Sequence, residues 1–409
     1  MIQSFFPLTT VDVTPGVTGS WQDVDVSGNG VPAGATGVIL HLLGTGLGED
    51  FGLRKNGSAD NYLKEMYGNS WALIGVDGDR KFQAYVGANH TIYLVGYTMA
   101  GVTFFTNAYD KTPICDQTWR EVDLSIECPG ATGVILQYFS QFNTSQYGIR
   151  KHGSTDNRSA EATYMGQWGL IIGCDEDQHI DLWGKDDALP TFVLVGYITD
   201  GATFKTNADD ISLIATGAWT DIDLSSEAPA SGMVFIQAYG QEGQNFGLRK
   251  KGSTDIDANV YHSLQEAFGI IEPDTNTKIE GKIQSTFVDF FLVGYGCKVV
   301  TPTVTTDAAT DILQEQATPN GSLTDDGAEA CACGFEWGLT DAYDNTTPTD
   351  SKVAGESFSQ VINGLSPGTI YHFRAFATNS AGTGYGADRT FTTAPIPSNR
   401  AHALSREEL

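Results

Sequence analysis

The sequence predicts an all-β protein: three tandem β-sandwich repeats followed by a fourth, different β-sandwich. Three observations predict it. The first 300 or so residues repeat at a spacing of about 96 to 100 residues. The recurring segments are short, rich in Val, Ile, Thr and aromatics, and bounded by Gly, Asp, Asn and Ser. No stretch carries a helical period. Composition agrees, because 47 glycines and only 18% charged residues suit short strands and tight turns better than long helices.

The repeat is read motif by motif. An extended start reads SFFPLTT from Ser4, TFFTNAY from Thr103 and TFKTNAD from Thr203. A tryptophan strand follows, WQDVDVS from Trp21, WREVDLS from Trp119 and WTDIDLS from Trp219. Its acidic residues alternate with apolar ones, Asp23 and Asp25 against Val24 and Val26, as on a strand with one wet face. Next come GATGVIL from Gly34, GATGVIL from Gly130 and ASGMVFI from Ala230. Val38, Ile39 and Leu40 are continuously apolar, which predicts burial on both faces. Each copy closes on LVGY, at Leu94, Leu194 and Leu292.

About eight strands in 100 residues point to a two-sheet sandwich, a jelly roll first and an immunoglobulin-like topology second. The domains are read as 1–100, 101–200 and 201–300 for the repeats, 301–395 for the fourth module and 396–409 for a tail. No linker separates the copies. They are expected to stack as a stiff rod or compact cluster, not as beads on flexible string.

In the fourth module, CGFEWG begins at Cys333 and INGLSPGTIYHFRAFATNSAGTGYG at Ile362. Leu365, Pro367, Gly368, Tyr371, Phe373, Ala375, Ala377, Asn379, Ala381 and Gly382 carry a pattern that resembles the fibronectin type III family and its phage and bacterial relatives. Tyr371, Phe373, Ala375 and Ala377 alternate on one strand face, and Tyr371 stands where such sandwiches place a corner tyrosine. The tail holds a capping-box pattern, Ser405 to Glu408, in a segment too short for a stable helix alone.

No catalytic constellation recurs. There is no G-x-S-x-G, H-E-x-x-H, P-loop or C-x-x-C, so no catalytic residue is assigned and no enzyme is expected. The cysteines, Cys115, Cys128, Cys174, Cys297, Cys331 and Cys333, do not recur at matching positions. Cys115 and Cys128 flank a short extended segment and are close enough in sequence to pair. Cys331 and Cys333 are expected on opposite strand faces.

Two recurring features offer binding chemistry. The first is a basic hairpin: Arg54 and Lys55, Arg150 and Lys151, Arg249 and Lys250 with Lys251. These seven are drawn from 23 basic residues, so positive charge is concentrated here. Each run meets a glycine turn, at Gly57, Gly153 and Gly252, then a serine and an acid: Ser58 and Asp60, Ser154 and Asp156, Ser253 and Asp255. One reading is a structural hairpin whose arginine pairs locally with an aspartate. The other is a repeated cationic spot for an acidic neighbour or a glycan. The second feature is an acidic turn: Asp77 and Asp79, Asp175 and Asp177, Asp274 and Asn276. Its spacing would supply oxygen ligands to calcium, and it is also the ordinary way to end a hairpin. Calcium is the one cofactor the sequence offers.

The net charge of −27 disfavours nucleic acid and anionic membranes as partners. MIQSFFPLTT lacks a basic n-region with an apolar core, so it is not read as a Sec signal. A surface-type protein of this kind is expected to leave the cell by lysis, as a virus particle does, or to have lost a signal by trimming. The tandem repeats look similar to β-sandwich modules of tailed-phage structural proteins. That resemblance implies a virion-surface role as head fibre, decoration or tail-associated protein. Capsid or other virion proteins, host glycans and further copies of the chain, a trimer among them, are the expected partners. The alternatives are a bacterial or archaeal cell-surface adhesin or filament subunit, or a carbohydrate-binding array.

Overall fold

The computed structural model describes all residues except 1, 47, 67, 140–144, 163–166, 186–189, 241–244, 254–265 and 398–409. Asp255 and the Ser405–Glu408 pattern therefore lie outside the described residues. The chain divides into two compact units, Met1–Lys298 and Val299–Leu409, described in turn. Among the described residues no helix is long and apolar enough to cross a membrane.

The first unit holds the repeats. Repeat 1 contains β1 (Phe5–Asp12), β2 (Trp21–Asp25), β3 (Gly37–Gly44), β4 (Asp50–Lys55), β5 (Lys64–Glu65), β6 (Gly68–Gly75), β7 (Lys81–Tyr85) and β8 (His90–Thr98). Repeat 2 contains β9 (Val102–Asp110), β10 (Arg120–Asp123), β11 (Gly133–Phe139), β12 (Ser145–Lys151), β13 (Ala160–Ala162), β14 (Gln167–Gly173), β15 (His179–Gly184) and β16 (Thr191–Ile198). Repeat 3 contains β17 (Ala202–Asp210), β18 (Thr220–Asp223), β19 (Ser231–Gly240), β20 (Phe246–Lys250), β21 (Glu266–Ile271), β22 (Lys278–Ile283) and β23 (Val288–Cys297).

Each repeat is a jelly roll. Repeat 1 pairs its strands as β1-β8-β3-β6 and β2-β7-β4-β5. Repeat 2 gives β9-β16-β11-β14 and β10-β15-β12-β13, and repeat 3 gives β17-β23-β19-β21 and β18-β22-β20. Apart from the β4–β5 and β12–β13 pairs, strands adjacent in sequence fall in opposite sheets, as in a double Greek key. The tryptophan strand behaves as its pattern requires: Val24 is buried, Asp23 and Asp25 are exposed.

The inner sheet of each repeat is covered on both faces. Val38, Leu40 and Leu42 join the core inside repeat 1's own sandwich. Ile39, Trp71 and Leu73, from the opposite face of the same sheet, join a core shared with Ile135 of repeat 2 and Phe235 of repeat 3. This is why the Val38–Leu40 run is apolar without alternation. The inner edge strands β6, β14 and β21 all touch one another, and β14 lies so close that the Gly169 backbone rests on Ala72.

The first strand of each repeat breaks its pairing midway within its own sheet and packs on another repeat. Strand β9 packs on β3, β4 and β6; β17 packs on β12 and β14; β1 packs on β19. Repeat 2 on 1, 3 on 2 and 1 on 3 closes a quasi-threefold ring. Of the two arrangements expected, the compact cluster is the one observed.

At two of these seams an aromatic ring enters a glycine notch. Phe104 lies against paired Gly37 and Gly75, and Phe204 against paired Gly133 and Gly173. A Cβ on Gly37 would stand 2.3 Å from the Phe104 ring, so no other residue admits it. Burying a phenylalanine side chain contributes about 1.5–3 kcal/mol.

The second unit has the fibronectin type III arrangement. One sheet orders Thr303–Thr310, Gln316–Asp325 and Ser357–Ser359. The other is built on Cys331–Gly338 and Ile370–Asn379, with Gly382–Tyr385 and Arg389–Thr392 both paired to the latter strand. Tyr371, Phe373, Ala375 and Ala377 are buried while their neighbours are not, as the alternation predicts. The Tyr371 hydroxyl accepts the Ser366 backbone N–H at 2.9 Å, closing the tyrosine corner.

One cysteine expectation is corrected and one open question is closed. Cys331 and Cys333 are both buried in the second unit's core, because residues two apart on a strand share a face. Burial pushes both thiols up to about 11. All six cysteines are free, so Cys115 and Cys128 are not paired. Cys128 is instead buried near Cys174, and burial raises its thiol to about 12.

Gly37→Ala should destabilise the first unit by about 1–3 kcal/mol through overpacking against Phe104. Gly28→Ala, which meets nothing within 4 Å, should be near neutral. Denaturant unfolding of the two variants measures the difference.

Candidate functional site

The basic hairpins sit where the outer sheet of each sandwich meets the seam to the next repeat. Each turn is closed by a backbone hydrogen bond, Ser58 N–H to Lys55 O, Ser154 to Lys151 and Ser253 to Lys250, at 3.0–3.1 Å. The glycines adopt φ of 82°, 81° and 76° at Gly57, Gly153 and Gly252, a left-handed conformation that other residues rarely take.

The arginine heads are engaged inside the outer sheet. The guanidinium of Arg54 lies 4.1 Å over the Trp21 ring, Arg150 4.2 Å over Trp119, and Arg249 4.0 Å over Trp219. Their Nε atoms donate to side chains of the intervening strand, to Gln83 at 2.7 Å, Asp181 at 2.9 Å and Glu280 at 2.6 Å. Arg54 and Arg150 also donate from Nη1 to the Asp60 and Asp156 carbonyls. The tryptophan lies flat because Gly52 and Gly148 leave room beneath it, and its Nε1 donates to Asn61 or Asn157. The sequence motifs W, G-[LI]-R-K and D-N are one clamp on one face.

The lysines point differently. Lys55 Nζ donates to the Phe104 carbonyl of repeat 2 at 3.1 Å, and burial lowers its pKa. The Lys151 stem lies beside Gly173. Lys250 pairs with Glu272 at 2.6 Å, and Lys251 pairs with Asp221.

What the far side of the hairpin holds is the next repeat. Asn107 Oδ1 accepts the Ser58 hydroxyl at 3.2 Å and the Ala59 N–H at 2.8 Å. Asp60 Oδ2 in turn accepts the Ala108 N–H at 2.7 Å. The second seam repeats this. Asn207 accepts from Ser154 and Thr155 at 2.9 Å, and Asp156 from Ala208 at 2.9 Å. Sequence reading noted the serine and acid but assigned no role to Asn107 and Asn207. The available signal was the paired recurrence of T-N-A and G-S-x-D in successive repeats.

The acidic turns are tied to their own backbones. Asp77 Oδ1 accepts N–H groups of Asp79 at 2.9 Å and Lys81 at 2.8 Å, and its Oδ2 takes Asn56 at 2.6 Å. Asp175 does the same for Asp177 and His179, and Asp274 for Asn276 and Lys278. Burial works against the Asp77 and Asp274 charges, yet these donors leave both carboxyls below their ordinary value. Asp79, Asp177 and Asn276 are exposed at the tips. Among the described residues no three His, Cys, Asp or Glu groups are grouped to hold a metal ion.

No protein-family model matches the chain, and no curated protein matches it. Solved structures do match parts of it. The sensor domain of the anti-sigma factor RsgI4 of Pseudobacteroides cellulosolvens is 18% identical over 24% of this chain and 100% of its own, with a TM-score of 0.21. A fibronectin type III domain of human fibronectin type III domain containing protein 3 is 18% identical over 25% of this chain and 94% of its own, TM-score 0.20. The chicken CNTN1 FN1–FN3 domains are 14% identical over 64% of this chain and 95% of theirs, TM-score 0.19. These are likenesses of fold alone.

Repeat 2 alone carries histidine in its hairpin turn, where repeats 1 and 3 carry Asn56 and Lys251. His152 Nδ1 lies 2.8 Å from buried Asp181, and Nε2 3.6 Å from Glu121. The hydrogen bond to Asp181 raises its pKa, desolvation opposes it in part, and the charges of Asp181, Glu121 and Asp175 add to the rise. A raised folded pKa means stabilisation that is full below about 6.5 and lost as pH climbs through the folded value. Wild type should therefore lose more stability than His152→Gln between pH 6 and pH 8 in denaturant unfolding.

Proposed function

We propose that this chain is a non-enzymatic structural protein of a virion surface, a head fibre, decoration or tail-associated protein of a tailed phage. The observation that carries the reading is the ring of three jelly rolls in one chain, joined in sequence to a fibronectin type III-like module. Such a ring is the covalent counterpart of a jelly-roll trimer, so a single copy could occupy a threefold position on a particle. The acidic surface supports the reading by favouring solubility and disfavouring nucleic acid. Matching loops also present exposed aliphatic residues, Ile114 at 74% and Ile214 at 93%, with Val17 at 54% in the first repeat. These are the natural points of attachment to capsid or tail proteins.

The glycan-array alternative needs open aromatic faces on one sheet. Trp21, Trp119 and Trp219 lie under arginine guanidiniums instead. A cell-surface adhesin or filament subunit would use the same modules and differs in where the protein is found.

The test is immunogold labelling of purified particles and of host cells from the same lysate. The reading expects label on particles, reduced by the pair Ile114→Asp and Ile214→Asp in a chain of unchanged circular dichroism. Label confined to host cell surfaces or free filaments would transfer the protein to the adhesin class.

A further inference from the structure

The seam between repeats 1 and 2 and the seam between repeats 2 and 3 share a plan but are filled by different chemistry. At the first, Tyr62 behind the hairpin turn stacks on Phe139 of repeat 2 at 5.2 Å. Phe105, from the arm of β9, lies against Tyr197 at 5.7 Å. At the second, the matching positions hold two cations. Arg158 stands five residues after Gly153, as Tyr62 stands five after Gly57, and Lys205 follows Phe204 as Phe105 follows Phe104. In a chain of net charge −27, this is an unusual place to exchange two aromatic rings for positive charge.

The Arg158 guanidinium takes over the stacking role, 4.0 Å over the Phe291 ring of repeat 3, and its Nη2 pairs with Asp156 at 2.8 Å. Lys205 turns to the Glu227 carbonyl at 2.7 Å and to Asp209 at 2.8 Å. Between them lies a cavity of about 10 Å³, with Arg150, Lys151, Asp156, Arg158, Lys205 and Thr206 on its lining. That is room for one particle of about the size of a water molecule. Three of the four lining cations have a carboxylate partner: Arg150 has Asp181, Arg158 has Asp156 and Lys205 has Asp209. The partly buried Lys151 has none among the described residues. Its counterparts do have acceptors, Lys55 at the Phe104 carbonyl and Lys250 at Glu272. The Nε of Arg158 is buried and likewise finds no acceptor among the described residues. A buried donor left unpaired is costly, and an uncompensated charge more so.

We propose that this cavity binds one monatomic anion, a halide such as chloride, which accepts from Arg158 Nε and Lys151 Nζ. Charge sets the valence: one positive charge on the lining lacks a partner, so one negative charge balances it. Volume sets the class, because phosphate, sulfate and carboxylates are too large. Chloride is only a little wider than water, and the long Lys151 side chain adjusts to it. A water molecule in the same place would satisfy Arg158 Nε but leave the Lys151 charge uncompensated. The anion sits where the hairpin of repeat 2 meets the arm of repeat 3, so its binding ties the two repeats together. The first seam needs no such ion, since Tyr62 and Phe105 close it with apolar surface. The inference does not rest on the virion reading, because a halide acts on the seam wherever the protein resides.

The test is thermal unfolding of the full chain in sodium chloride and in sodium gluconate at equal ionic strength and pH 7. Gluconate is too large for the cavity. Tm should be higher in chloride by about 2 °C or more, rising with chloride as a single site fills. Bromide should replace chloride. The pair Arg158→Tyr and Lys205→Phe, which installs the residues of the first seam, should unfold at the same temperature in both salts. Should that pair fail to fold, Lys151→Met serves the same purpose, since it removes the uncompensated charge alone. Line broadening of the chloride-35 resonance by the wild-type chain, lost in Lys151→Met, reports the ion itself. Equal Tm in the two salts would overturn the proposal and leave the cavity to water. A chloride effect of the same size in Lys151→Met would overturn it too, by assigning the effect to salt in general.

Discussion

The first unit depends on one arrangement: the first strand of a repeat breaks its pairing midway and lays an aromatic ring and an asparagine on the preceding repeat. The ring fits only because two glycines face each other across a strand pair, Gly37 with Gly75 and Gly133 with Gly173. The asparagine fits because a glycine turn presents a serine hydroxyl and a free N–H side by side. Without the packing of repeat on repeat the outer face of each inner sheet, with residues such as Ile39 and Leu73, would have no cover. An exposed apolar sheet face of that size is costly in water and invites aggregation.

The basic hairpin thereby serves two surfaces at once. Its arginine turns inward onto tryptophan and holds the outer sheet together; its serine and acid turn to the neighbouring repeat. Cation–π contacts of this kind contribute about 0.5–2 kcal/mol each, according to how far they are desolvated. The three clamps differ in charge balance. Arg150 and Arg249 meet carboxylates, whereas Arg54 meets the neutral side chain of Gln83. The clamp geometry is therefore set by stacking and hydrogen bonding more than by ion pairing.

Much of the fold is legible in the residues. The strand skeleton, the double-sided burial around Val38–Leu40 and the corner tyrosine at Tyr371 follow from periodicity and local pattern, which act over a few residues. The seams are not legible in the same way. Whether Phe104 packs within its own repeat or on the one before depends on strand register, which leaves no periodic trace. The cysteines show a simpler lapse: Cys331 and Cys333 are two apart, and two apart on a strand is the same face. The hairpin motif was visible as a recurrence, but a recurrence of charge suggested an external partner where the far side of the turn meets a neighbouring repeat.

The central claim is that the three repeats are one cooperative body because each inner sheet borrows its cover from the others. Native-state hydrogen exchange of the full chain tests this most directly. The account predicts that the slowest amides of β3, β11 and β19 share a single opening free energy and a single denaturant dependence. Three separate opening energies, one per repeat, would contradict it.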